Sequence, residues 1–68
     1  MGKTLKLNPK QIDAVSQLPE EGMGYHVVNI VLNNGEILNN RVIVNSTFLQ
    51  LNDGEELTVG DIDSFDNA

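Results

Sequence analysis

The stretch Tyr25-His26-Val27-Val28-Asn29-Ile30-Val31-Leu32-Asn33-Asn34-Gly35-Glu36-Ile37-Leu38-Asn39-Asn40-Arg41-Val42-Ile43-Val44 decides the fold. Its first eight residues are mostly aromatic or β-branched, the composition of a strand. Asn34-Gly35 then stands between two apolar runs. That pair is the strongest short-range hairpin signal, because both residues accept the positive φ of a tight turn. Glu36 to Val44 is therefore predicted to return antiparallel, giving a hairpin over about 25–44. A three-residue loop, a type I turn closed by a left-handed Gly35, sets Leu32 opposite Glu36, Ile30 opposite Leu38, Val28 opposite Asn40 and His26 opposite Val42. One face then carries Val28, Ile30, Leu32, Leu38 and Val42. The other carries Val27, Val31, Ile37 and Ile43, diluted by Asn29, Asn39 and Arg41. A two-residue loop would instead put Val31 opposite Leu38 and Val27 opposite Val42. Both faces are unusually apolar, so a strongly bent sheet is expected, its second face partly covered by a helix.

Upstream of the hairpin, Leu5 and Leu7 alternate with Lys6, and residues 4–7 are predicted to be extended. Asn8 reads as a helix N-cap. Pro9 suits the first helical position, where its missing N–H has no intrahelical partner anyway. Gln11, three residues after Asn8, completes the outline of a capping box. Ile12, Val15 and Leu18 recur at helical spacing, and Pro19 ends the pattern by pushing its predecessor out of the helical region. The predicted helix covers about 9–18, too short to stand without docking its stripe. Glu20-Glu21-Gly22-Met23-Gly24 is a loop. Downstream, Asn45-Ser46-Thr47 and Asn52-Asp53-Gly54 are turns, and further strands are predicted at about 48–51, 57–59 and 62–65, with Gly60 interrupting the last two. Turns at this spacing suggest one domain over 1–68, mainly β: a small antiparallel barrel of about five strands with one short N-terminal helix.

The chain has 68 residues, with ten Asp and Glu against four Lys and Arg, a net charge of −6. So negative a surface repels phosphate backbones, so nucleic acid is not an expected partner. Lys3, Lys6 and Lys10 form the one basic run, which reads as a solvated segment. No cysteine is present, which removes disulfides and thiolate-held metals. No run approaches the ~18 apolar residues of a membrane span, and no apolar leader opens the sequence. The expected location is the cytoplasm.

The pattern Val28-x-Ile30-x-Leu32-x-x-Gly35-x-x-Leu38-x-x-x-Val42 resembles the first half of the Sm pattern, and one helix followed by short strands is the layout of Sm-like and SH3-like barrels. The resemblance covers roughly residues 25–44. It implies a small barrel, and RNA binding as the alternative function, through a patch of Lys3, Lys6, Lys10 and Arg41. Asn40 stands where Sm proteins usually have glycine. Ser46-Thr47-Phe48-Leu49-Gln50 replaces the Asp-x-x-Met-Asn uridine segment, and Val59-Gly60-Asp61 the expected Arg-Gly pair. The resemblance argues for the fold, and these departures argue against the RNA site. The stretch from Leu18-Pro19 through Gly22-Met23-Gly24-Tyr25 is also similar to small bacterial proteins of no assigned role.

Chemistry-bearing groups are few. His26 is the sole histidine, and Ser16, Ser46 and Ser64 lie in no nucleophile motif, so no catalytic residue is expected. Gly22-Met23-Gly24 precedes a strand, whereas a phosphate loop precedes a helix. Asp61-x-Asp63 with Asp66 offers hard oxygens for calcium but lacks the EF-hand spacing, and reads as a charged edge that discourages foreign strand pairing. No metal or cofactor is expected. Met23, Tyr25, Arg41 and Phe48 are the candidate contact residues, because Tyr and Arg favour protein interfaces. Tyr25 and Phe48 have two readings: completion of the core, or outward display. The expected function is a non-catalytic module that binds a protein or itself. The other alternative is an accessory subunit or regulator of an enzyme on another chain, steered to a basic partner by the acidic residues 53–66.

Overall fold

In the computed structural model, which describes residues 3–68, the hairpin begins as its turn dictates. Leu32 N–H donates to Glu36 O at 2.8 Å and Gly35 N–H to Leu32 O at 3.0 Å, with Gly35 at φ 91°. This is the three-residue loop, and Asn34 Oδ1 braces it by accepting from Glu36 N–H. The two arms are β2 (Tyr25–Leu32) and β3 (Ile37–Val44). Ile30 pairs with Leu38, as the loop requires.

Just beyond that pair, at Asn40, the register departs from that expectation. Asn40 takes φ 55°, a left-handed conformation that asparagine tolerates. Its N–H is received by Asn29 Oδ1 at 3.0 Å. The resulting bulge adds one residue to β3, so Val28 pairs with Arg41 rather than Asn40, and His26 with Ile43 rather than Val42. Because side chains alternate, the one-residue slip exchanges faces. Ile43 is fully buried and Val42 only half-buried, the reverse of the expected assignment.

The remaining strands are β1 (Thr4–Lys6), β4 (Phe48–Gln50) and β5 (Ile62–Asn67). All pairings are antiparallel, in the order β1-β4-β3-β2-β5, with β1 and β5 at the two ends. One sheet of five strands and one helix is the mainly β architecture expected. Residues 57–59 are not a strand: residues 57 and 58 carry no regular element, and Val59–Asp61 is a 3-10 turn. The cause is local. Asp61 Oδ2 accepts from Thr58 N–H, and Asp61 N–H donates to Thr58 O, which winds the chain instead of extending it.

Helix α1 (Pro9–Ser16) starts on the predicted capping box: Asn8 Oδ1 accepts from Gln11 N–H, and Gln11 Oε1 accepts from Asn8 N–H. It ends two residues short of Leu18, ahead of Pro19. Val15 is wholly buried, in one cluster with Leu7, Val28, Ile30, Leu32, Ile43, Leu49 and Ile62, while Ile12 and Leu18 pack at its margin. The helix therefore covers the same face of the sheet that holds Ile30 and Ile43. It does not cover the second face, contrary to the sequence expectation. That inner face carries the row Leu5, Leu49, Ile43 and His26 across β1, β4, β3 and β2, buried except for the half-buried Leu5.

Candidate functional site: the outer face of the sheet

Alternation places Tyr25, Val27, Asn29 and Val31 of β2 on the face opposite the core, with Ile37, Val42 and Val44 of β3. Tyr25 pairs with Val44, Val44 with Phe48 and Phe48 with Lys6, so a single outer row crosses four strands. Tyr25 is 37% exposed, Phe48 38% and Ile37 55%. Val27, Val31, Val42 and Val44 are half-buried by their neighbours. The row thus resolves the two readings of Tyr25 and Phe48: both lie outside the core, one strand apart from each other.

The loop before β2 is built to hold Tyr25 in this position. Glu21 N–H donates to Tyr25 O, Gly24 N–H to a Glu20 carboxylate oxygen, and Asn45 N–H to Gly24 O at 2.7 Å. The Tyr25 ring lies over Gly22, where an added Cβ would come within 2.5 Å of Cε1. A side chain at position 22 would lift the ring away. Met23, at the tip, is 94% exposed, beside the Tyr25 end of the row.

Arg41, the fourth candidate, is not a surface residue. The bulge at Asn40 turns it to the inner face, where it is 8% exposed. Its guanidinium makes a forked ion pair with the Glu55 carboxylate, and Nη2 also donates to Gln50 O at 3.2 Å. Asn52 N–H donates to Glu55 Oε1. The hydrogen bonds from Arg41 hold the Glu55 carboxyl below its ordinary 4.5, partly opposed by burial and aided by the Asn52 N–H. Arg41 thus pins the 51–57 segment to the sheet.

His26 is 2% exposed. Its Nε2 lies 3.0 Å from Leu18 O. A carbonyl only accepts, so Nε2 carries the hydrogen. Nδ1 is buried with no hydrogen-bond partner among the described residues. The imidazole ties the end of the helical segment to β2 and is withdrawn from any solvent-side chemistry.

The basic residues do not pool. Lys10 lines a cleft between α1 and β5 together with Asp63, whereas Lys3 lines a depression with Glu55, Glu56 and Asp61. Among the described residues no three His, Asp or Glu side chains gather closely enough to hold a metal ion. No helix among them is long and apolar enough to cross a membrane. Comparison with family models, curated proteins and solved structures gives no match to this chain.

Val27, Val31 and Ile37 belong to the second apolar face read from the sequence, and that alternation was the available signal; Val42 was expected on the first face and reaches the outer one through the bulge. The sequence reading placed the helix partly over this second face, and the structure leaves it on the inner one.

Proposed function

We propose that this chain is a non-catalytic interaction module that works through the outer face of its sheet. The observation carrying the proposal is the contiguous apolar surface of Tyr25, Val27, Val42, Val44 and Phe48, with no helix or strand of the described residues laid across it. A soluble domain rarely leaves so continuous an apolar patch without a use for it, and aromatic residues on such a patch favour protein contact. The withdrawal of His26 into the core supports the non-catalytic part of the reading. The absence of cysteine suits a reducing compartment such as the cytoplasm.

The small-barrel likeness belongs to the same proposal. Asn40 stands where the Sm pattern carries glycine, and it adopts the left-handed conformation that glycine favours. The RNA-binding alternative loses support, because Arg41 is committed to Glu55 and Lys3 and Lys10 line separate depressions with carboxylates.

Tagged wild-type and Phe48→Ser chains, presented both with untagged chain and with an extract of the source cells, test the proposal. The wild type is expected to retain a defined protein, itself or another, and Phe48→Ser to lose it while keeping its circular-dichroism spectrum. Retention of nothing by the wild type, or equal retention by both chains, would overturn the reading.

A further inference from the structure

The outer face has a charge pattern of its own. The chain carries ten carboxylates and four basic side chains. Yet among the strand-paired outer positions, only Lys6 on β1 and Asp66 on β5 are charged. Asp66 pairs with Asn29, and Lys6 ends the Tyr25–Val44–Phe48 row. The two charges are opposite in sign and lie on the two end strands of the sheet, with the uncharged apolar strip between them. β3, the middle strand of the five, carries Val42 between the level of Lys6 and the level of Asp66.

From this arrangement we infer that the occupant of the outer face is a second copy of the chain, packed face to face about a twofold axis passing near Val42; the inference rests on the interaction reading above. In an isologous pair each patch meets its own image. A twofold at the middle of the strip brings Lys6 of each copy to Asp66 of the other, so both charges are answered at once. A strongly basic partner would meet one carboxylate and one ammonium here, and so would a strongly acidic one. Neither gains what the self-pair gains. The chain's remaining carboxylates lie off these paired positions.

Size is compatible. The body measures 27 × 26 × 21 Å. One side of it is of the same order as the ~800 Å² per partner of a standard interface. Val27, Val42, Val44, Tyr25 and Phe48 would form the dry centre, with Lys6 and Asp66 at the rim.

Sedimentation equilibrium of the full chain over a wide concentration range tests the inference, with the melting curve followed in parallel. The wild type is expected to be a dimer. Val42→Asp sets two carboxylates against each other at the axis and is expected to raise the dissociation constant at least a hundredfold, while a cooperative melt persists. Lys6→Asp and Asp66→Lys touch no core residue, so they report even if Val42→Asp unfolds. Each alone is expected to weaken the dimer severalfold, and the two combined in one chain to restore it. A wild type that stays monomeric at the highest concentration overturns the inference, as does a dimer in which the double swap fails to restore what the single swaps lose. If the monomeric chain still captures another protein in a Phe48-dependent way, the second copy is ruled out and the interaction reading stands.

Discussion

The two faces of the β2–β3 hairpin are made of the same kinds of residue, and one is dry while the other is open. The inner face sets Val28, Ile30 and Ile43 against Val15 of the helix, together with His26 and Arg41. The outer face sets Val27, Val31, Val42 and Val44 beside Tyr25 and Phe48. Counting apolar side chains would not tell them apart. Polar groups do: each buried polar side chain on the inner face has at least one partner in the chain, His26 Nε2 with Leu18 O and Arg41 with Glu55, and only His26 Nδ1 is left unpaired among the described residues. Burying such groups is tolerable only with partners, and the fold supplies them on that side alone. The lesson is that an amphipathic helix and two fixed polar anchors select the core face, and the bulge at Asn40 then decides which half of β3 joins it.

Replacing the two adjacent residues of β3 gives the sharpest contrast between the faces. Ile43→Ala is expected to cost about 2–5 kcal/mol, as for other buried Ile truncations, which is most of the stability of a domain this small. Val42→Ala, one residue away, is expected to cost less than about 1 kcal/mol in the dissociated chain. Urea unfolding of both variants measures this, and equal losses would erase the distinction between the faces.

Arg41→Met comes next in size. It leaves Glu55 partly buried without its guanidinium, and a loss of about 2 kcal/mol is expected from the charged hydrogen bonds removed. The pH dependence gives the sign. Glu55 has a depressed value in the folded chain, so the stabilisation from its pairing is fully present above about pH 4.5 and is lost as pH falls through the lower folded value. Unfolding curves from pH 6 down to about pH 3 are expected to show this loss in the wild type and to lack that component in Arg41→Met.

The smallest effect is expected at the bulge itself. Asn40→Val forces a β-branched residue into the left-handed region, at about 1–2 kcal/mol, whereas Asn40→Gly is expected to stay within about 1 kcal/mol of wild type. If valine were tolerated as well as glycine, the left-handed bulge would not be what sets the register.

Local signals in the sequence carried much of this. Asn8, Pro9 and Gln11 announce the helix start, and Asn34-Gly35 announces the turn, because capping and tight-turn chemistry act over three or four residues. The bulge was not legible. Asn39-Asn40 interrupts the alternation, and with apolar residues on both faces either register buries a comparable set until Asn29 is known to receive Asn40 N–H. The commitment of Arg41 to Glu55 was hidden for a similar reason: fourteen residues separate them, and only the folded path of the chain after β4 brings Glu55 to Arg41. Leu57 to Val59 has strand composition, yet an Asp61 side chain close in sequence captured the backbone first. Tyr25 and Phe48 were legible as candidates, but not as neighbours in one outer row, because their adjacency depends on the register of β3 against both β2 and β4.

Cross-strand proton NOEs along the hairpin test the central claim most directly, since register is what assigns every residue to its face. The expected result is contact across Ile30–Leu38 on one side of Asn40 and across Val27–Val42 and Tyr25–Val44 on the other. Contacts joining His26 with Val42 and Val28 with Asn40 would contradict it, returning Val42 to the core and Arg41 to the surface.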